Sequence, residues 1–346
     1  MKLVSLKDLM ANRSEDEKMV QYRKLWHLAS QFEVRTDFPL HLDIELCGKC
    51  NLRCEHCFQN GLIEGSLGNM DEDLFYKVID EGFQNGLCAI KLQIRGESLL
   101  HPKLTECIRY AKNKGVLDIQ LTTNAILLNK EMAQKLLTSG LDGLIFSFDD
   151  HHFNAPKETV NSSRSILIEK NIRQFLGLRK QSDLKKPWVR LQASLPELSQ
   201  KIISDTKQRM KEVFPDVDVY AINKIHNFCE NIDSYPDLHQ KYRFSPCSHL
   251  MQRLSVFWNG DVTTCCMDYN GRLKLGNTKS MTIKEAWKSS QMQEYRVCHV
   301  EGKRLSMEVC KHCHMGAVIK NGDHVVDQEM KNPADKSLRV NHSSCS

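Results

Sequence analysis

The sequence has no apolar run approaching the roughly 20 residues that span a bilayer. Its first residues, MKLVSLKDLMANRSEDEK, lack the uninterrupted apolar core and small-residue cleavage site of a secretion signal. Together these absences point away from a membrane protein and toward a cytoplasmic one. An excess of one charge is missing too. Lys and Arg number 48 against 43 Asp and Glu, and the net +5 is too diffuse to argue for nucleic acid. It suits an anionic cofactor or substrate. Internal repeats and low-complexity tracts are absent. What remains, 346 residues with 41% hydrophobic and 26% charged, is ordinary for a soluble chain of two domains or one large α/β domain with an appendage.

Cysteine is the residue in excess. There are 14, and without a secretion signal they are expected to stay reduced, so disulfides are the wrong explanation. They group instead at 47/50/54/57, at 265/266 and at 310/313, with Cys247 upstream of the second group. Tight groups in a reducing compartment hold metal or clusters. Cys88, Cys107, Cys229, Cys298 and Cys345 are scattered, and read as small buried hydrophobes or surface thiols.

Residues 15–32 place Met19, Tyr22, Leu25, Trp26, Leu28, Ala29 and Phe32 at helical spacing. An alternation follows. Strands are predicted at His41–Leu46, Ala89–Ile94, Ile119–Thr122, Gly143–Phe148, Val189–Ala193 and Val217–Ile222. Helices are predicted at Asp71–Asn85, Pro102–Lys114, Lys130–Ser139, Ser163–Arg179 and Leu198–Val213. Six βα repeats predict a parallel sheet with right-handed crossovers. After about residue 225, FWNGDVTTCC and YNGRLKLGN predict hairpins, followed by a helix at Ile283–Ser290. From about Gly322 the chain shows no sustained period and is expected to be loose.

The first cysteine group reads Cys47-Gly-Lys-Cys50-Asn-Leu-Arg-Cys54-Glu-His-Cys57. All four thiolates could complete a ferredoxin-type cluster or a zinc site. Cys50, Cys54 and Cys57 alone would leave one iron of a [4Fe–4S] cluster open. CNLRCEHC after a strand bearing an acidic residue resembles the CxxxCxxC signature of radical S-adenosylmethionine enzymes. In that family the open iron is chelated by the cofactor, and one electron delivered to its sulfonium yields a 5′-deoxyadenosyl radical. The resemblance implies a partial (β/α)6 barrel with Cys50, Cys54 and Cys57 as cluster ligands, leaves Cys47 as a packing thiol, and gives His56 a stacking role near the adenine. KLQIRGESLLH, directly after the second strand, resembles the family's GGEP motif, with Arg95 and Ser98 replacing its first Gly and its Pro. Gly96 and Glu97 remain, and the carboxylate is the expected acceptor for the cofactor's ammonium. Asn124 and Ser147, at the ends of the third and fourth strands, are the further cofactor contacts expected. Asp149 and Arg190 are the candidate catalytic residues. Arg190 and Gln192 alternate with apolar neighbours and are expected to face the barrel interior.

Cys247, then Gly260-x4-Cys265, then Cys310-x2-Cys313 resemble the auxiliary-cluster domain called SPASM, or its shorter Twitch form. This implies one auxiliary [4Fe–4S] cluster on Cys247, Cys265, Cys310 and Cys313, although four cysteines with one CxxC pair also look like a zinc ribbon. The Gly-x4-Cys frame selects Cys265, with Cys266 beside it as the other possibility. The expected organisation is an N-terminal helical extension (1–38), the radical S-adenosylmethionine barrel (39–225), a small β-hairpin and helix cluster domain (226–321) and a loose tail (322–346).

The family resemblance implies hydrogen-atom abstraction from a C–H bond. The auxiliary cluster implies an electron outlet, as in the one-auxiliary-cluster dehydrogenases that oxidise aminocyclitols. The expected substrate is therefore a carbohydrate- or cyclitol-like small molecule, oxidised or epimerised, with an external reductant such as flavodoxin or ferredoxin. For epimerisation, Cys88, Cys107, Cys229 or Cys298 would have to supply a hydrogen atom. A maturase of ribosomally made peptides is the alternative, disfavoured by the short stretch before the first strand. A non-enzymatic iron–sulfur or zinc-binding electron carrier or adaptor is the alternative of another class. No nucleic-acid or membrane partner is expected.

Overall fold

The structure, a computed structural model, describes residues 1–54, 57–62, 67–148, 163–195, 199–225, 246–313 and 324–327. The N-terminal segment holds β1 (Lys2–Val4), α1 (Leu6–Met10), α2 (Glu15–Ser30) and β2 (Val34–Thr36). Helix α2 starts at a capping box in which Ser14 and Glu17 satisfy each other's backbone N–H groups. It buries Tyr22, Leu25 and Ala29. Strands β1 and β2 pair in parallel, an element the sequence did not suggest.

The alternation predicted for the middle of the chain is present. It runs β3 (His41–Ile44), α3 (Glu72–Asn85), β4 (Ala89–Lys91), α4 (Leu104–Asn113), β5 (Asp118–Thr123), α5 (Lys130–Leu137), β6 (Gly143–Ser147), α6 (Ser163–Gln181), β7 (Trp188–Leu195), α7 (Gln200–Val213) and β8 (Val219–Lys224). All five pairings from β3 to β8 are parallel. Gly86 closes α3 at φ +81°, where an added Cβ would lie 2.9 Å from the backbone of Lys7.

The C-terminal part adds α8 (His249–Gln252), β9 (Arg253–Val256), β10 (Asp261–Thr263), β11 (Lys274–Asn277), α9 (Ile283–Lys288), α10 (Ser290–Val300) and β12 (His324–Asp327). The expected hairpins are there, since β9, β10 and β11 pair antiparallel in turn. They do not form a separate sheet. Strand β9 pairs in parallel with β3, so one ten-stranded sheet runs β11-β10-β9-β3-β4-β5-β6-β7-β8-β12. The tail expected to be loose contributes β12, which pairs antiparallel with β8. HVVD centres two β-branched residues, which favour the pleated strand.

Alternation gives the sheet two unlike faces. Leu42, Ile44, Ile90, Ile119, Leu121, Leu144, Phe146, Val189, Leu191, Ala193, Ile222, Leu254 and Val256 belong to the core cluster. Most of their strand neighbours are polar: His41, Asp43, Lys91, Gln120, Thr122, Arg190, Gln192, Arg253 and Ser255. Cross-strand register puts these on one face, with His41 opposite Arg253, Asp43 opposite both Lys91 and Ser255, and Lys91 opposite Gln120. This is the concave, inner face of the partial barrel. Burying so many polar groups costs free energy unless they find partners.

Candidate active site

The loop after β3 is held by the sheet before its thiols appear. The Glu45 N–H donates to Val256 O (2.9 Å), Gly48 N–H to Gly68 O (2.8 Å), and Cys47 forms an isolated bridge with Asn69. Cys47 is 1% exposed, and its thiol donates to Lys49 O (3.4 Å). Cys50, Cys54 and Cys57 are half-buried, and none of the described cysteines forms a disulfide. A turn closes the loop, with Cys57 N–H donating to Cys54 O (3.1 Å). His56 and Asp149 lie outside the described residues.

The turn after β4 packs directly on this loop. A Cβ on Gly96 would lie 2.3 Å from Cys47 O and 2.4 Å from Lys49 O, closer than any side chain tolerates. Glu97 N–H donates to Lys49 O (2.8 Å). The Glu97 carboxylate is 2% exposed, with Oε1 accepting from Leu99 N–H (3.0 Å) and Oε2 from Asn124 N–H (2.8 Å). Burial raises its pKa, and the bonds from Asn124 and Leu99 oppose the rise. The Asn124 amide donates to Asn51 Oδ1 (2.8 Å) and lies 3.9 Å from Cys50 Sγ. Cys50, Glu97 and Asn124, far apart in sequence, thus meet. Ser147 ends β6, half-buried.

Arg95, the departure from the motif, has an assigned place. Its guanidinium forms a bidentate pair with Glu45, Nε to Oε1 at 2.6 Å and Nη2 to Oε2 at 2.5 Å. Its Nη1 donates to Tyr269 O (3.0 Å), and its carbon lies 3.9 Å from the centroid of the Phe257 ring. Glu45 Oε2 also accepts from Trp258 N–H (3.2 Å). A motif position that needs no side chain elsewhere here ties the first two barrel strands to the C-terminal strands. The sequence showed the substitution, but not its partner 50 residues away.

The second thiol set forms around the turn after β10. Asp268 fixes that turn, accepting from Arg272 N–H (2.8 Å) and Leu273 N–H (2.7 Å). Cys265 Sγ accepts from Met267 N–H (3.3 Å). Cys247 N–H donates to His299 Nδ1 (3.0 Å), and Arg304 donates to the carbonyls of Cys310 and Cys313. The thiols crowd one another. Burial, then the charge of Cys313, pushes Cys247 up to about 11. Burial, Cys313 and Cys247 likewise raise Cys310. Cys265 is raised by its bond with Cys266, by burial and by the charges of Cys266, Cys247 and Cys313.

Cys266 has different neighbours. Its bond from Cys265 lowers its pKa, burial and Asp43 raise it, and Arg253 and Lys91 lower it. His249 was not anticipated. Its ring and the thiols of Cys265 and Cys266 all lie within 4.8 Å of one another. Burial, then Arg253, pushes the imidazole down to about 3, so it is neutral.

On the inner face the charges are unequal. Asp43 accepts from Arg253 (3.4 Å) and pairs with His41 (3.3 Å). Arg190 has no carboxylate among the described residues, and burial lowers its pKa. The buried atoms Arg190 Nε, Thr122 Oγ1 and Ser255 Oγ have no hydrogen-bond partner among the described residues. Cys88 and Cys107 are buried in the core cluster, and Cys298 packs with Cys310 and Cys313 against a second, smaller cluster, so none is among these inner-face groups. Cys229 lies outside the described residues.

Both donor sets fit iron–sulfur chemistry. Three half-buried thiols on one short loop, beside a carboxylate with lone pairs to spare, suit a [4Fe–4S] cluster with an open iron and the ammonium of S-adenosylmethionine. Four crowded thiols at neutral pH suit a cationic centre that draws off their protons.

Residues 44–167 match the family model of the radical SAM superfamily, and residues 247–314 that of the SPASM iron–sulfur cluster-binding domain. A probable GTP 3′,8-cyclase of Methanococcus maripaludis is 41% identical over 106 residues, 31% of this chain and 35% of that protein. The chain thus spans about a third of that curated relative. The structure of BtrN in complex with AdoMet and 2-DOIA aligns at TM-score 0.55 and 19% identity, over 79% of this chain and 92% of that one. That of Streptococcus suis SuiB bound to precursor peptide SuiA aligns at 0.62 and 15%, over 90% and 78%. At these identities the likeness is one of fold.

Proposed function

Because the chain carries a radical SAM domain followed by a SPASM domain, we propose that it oxidises a small hydroxylated molecule, carbohydrate- or cyclitol-like, at a carbinol carbon. Bound S-adenosylmethionine and the two clusters would supply hydrogen-atom abstraction at one end of the cavity and an electron acceptor at the other. The chain's residues bind and aim the substrate between them. Once the C–H hydrogen is gone, loss of the hydroxyl proton and of one electron leaves a carbonyl. An external one-electron reductant of the flavodoxin or ferredoxin type would start the cycle.

The observation that carries this reading is the inner face itself. Arg190, Gln192, Thr122 and Ser255 present donors and acceptors that a polyol would satisfy, and three of them hold buried atoms with no partner. A substrate that pairs them recovers the cost of their burial. In this reading Arg190 and Gln192 orient hydroxyls, and Glu97 accepts the cofactor's ammonium.

Epimerisation is a second reading, favoured by Cys266. Its thiol, half-buried beside His249, would return a hydrogen atom to the substrate carbon. The resulting sulfur radical would then need one electron and one proton, and the neighbouring auxiliary site is the source of the electron.

The test is anaerobic incubation of the reconstituted protein with deuterated sugars and cyclitols. Label moving into 5′-deoxyadenosine together with a ketone product is the expected result. If only an added peptide transfers label, the small-molecule reading is wrong.

A further inference from the structure

Away from both thiol sets, a cavity of about 240 Å³ opens between the β1–β2 pair and helices α9 and α10, lined by Leu3, Arg35, Thr36, Asp37, Trp287, Lys288, Gln293 and Arg296. Three of these side chains are cations. None forms an ion pair with a carboxylate among the described residues. The one acid, Asp37, is engaged elsewhere: Oδ1 accepts from Leu6 N–H (2.8 Å), and Oδ2 lies 3.6 Å from Lys284 Nζ.

Arg296 is the key group. It is 3% exposed, yet its Nη2 has no partner among the described residues. The rest of the guanidinium is fixed, with Nε donating to Leu250 O (3.0 Å), Nη1 to Trp287 O (2.8 Å), and its carbon 4.0 Å from the centroid of the Trp287 ring. Arg35, held by Gln293, faces it across the cavity. Two guanidiniums and an ammonium around one cavity repel each other unless an anion sits between them. A buried guanidinium edge left unpaired costs more than an exposed one.

We propose that this cavity is a binding site for a phosphate group, supplied by inorganic phosphate or by a phosphate monoester. With Asp37 already engaged by Leu6 and Lys284, the positive charge of Arg35, Lys288 and Arg296 is balanced better by a dianion than by a monocarboxylate. Nη2 of Arg296 is the donor left for a phosphate oxygen, and Lys288, exposed at the rim, supplies a point charge. Leu3 and the Trp287 ring leave an apolar wall for the organic part of an ester. An occupant would bridge the N-terminal strand pair to the helices that follow the auxiliary strands.

The experiment is calorimetric titration of the reconstituted enzyme with inorganic phosphate, and separately with acetate, at constant ionic strength. Saturable binding of one phosphate per chain is expected, with acetate at least about tenfold weaker. Arg296→Gln would also remove bonds that hold α9 and α10, so the deciding variant is Arg35→Gln/Lys288→Gln, which leaves those bonds intact. It is expected to weaken phosphate binding about 100-fold, one factor of ten for each charge-assisted contact, at unchanged iron content. No saturable phosphate binding, equal affinity for acetate, or unchanged affinity in the double variant would each overturn the proposal.

Discussion

Arg95 and Glu45 grip each other through two parallel hydrogen bonds in a setting where neither reaches solvent: 5% and 0% of their surfaces are exposed. They join the strand that precedes the first thiol set to the turn that packs on it. Through Tyr269 O they also reach the segment carrying the second set. Removing one partner strands a buried charge. Arg95→Gln is therefore expected to destabilise the protein by about 3–5 kcal/mol. Glu45→Gln/Arg95→Gln should recover part of that loss. Denaturant unfolding of the three proteins checks it; a double variant no more stable than the single would show that the pair is not the cause.

Gly96→Ala forces a methyl group into the space held by the carbonyls of Cys47 and Lys49. The loop bearing Cys50, Cys54 and Cys57 must then shift. We expect reconstituted iron to fall from about eight to about four per chain, because each [4Fe–4S] site holds four and the second set is untouched. Iron analysis with electron paramagnetic resonance reports which cluster is lost.

Glu97→Gln keeps the size of the side chain and removes its charge. Loss of a charge-assisted bond to the cofactor's ammonium is expected to weaken S-adenosylmethionine binding by about 10- to 100-fold with iron unchanged. The pH dependence has a definite sign. Burial raises the carboxyl pKa, so the proton is held to higher pH than in an ordinary glutamate. Cofactor affinity is expected to be weak below that raised pKa and to climb as pH passes through it. The same raised pKa means that the charged carboxylate burdens the fold, so its effect on stability runs the other way, worsening as pH rises. Binding isotherms from pH 5 to 8 should slope for the wild type and lie flat for Glu97→Gln.

Cys265→Ser and Cys266→Ser are neighbours with opposite expected outcomes. The first is the cysteine that the Gly-x4-Cys spacing selects, and should cost about four irons per chain. The second falls outside that spacing, and should keep its iron. If Cys266→Ser also abolishes solvent-hydrogen incorporation into the product, the epimerase reading gains; if oxidised product forms unchanged, dehydrogenation stands.

Arg190→Gln should retain the clusters and the cofactor affinity while raising KM for the substrate about tenfold or more, the cost of one charge-assisted contact. An unchanged KM would remove Arg190 from the substrate site.

The repeating middle of the chain was legible because local pattern and tertiary role agree there. Each strand carries one apolar face, and the first three helices end near a glycine. Helix α10 was not legible. Its buried positions include Arg296 and His299, while Val297 and Val300 are exposed, so its pattern is the reverse of an amphipathic helix packing on a core. Strands β1 and β2 have three residues each, too few to show a period. The meeting of Cys50, Glu97 and Asn124 could be anticipated, since all three lie just past the carboxyl ends of neighbouring strands. The grip of Arg95 on Glu45 and the place of His249 depend on contacts between distant segments, which no local pattern encodes.

The parallel pairing of β9 with β3 gives the molecule a fixed electrical geometry. Two sulfur-rich stations hang from the same sheet, one after β3 and one after β10 with β9 between them, so the gap between them is set by backbone ladder bonds rather than by a hinge. The loops that shape the cavity can diverge without detuning that gap. A lineage built on this frame could exchange one substrate for another and keep its wiring.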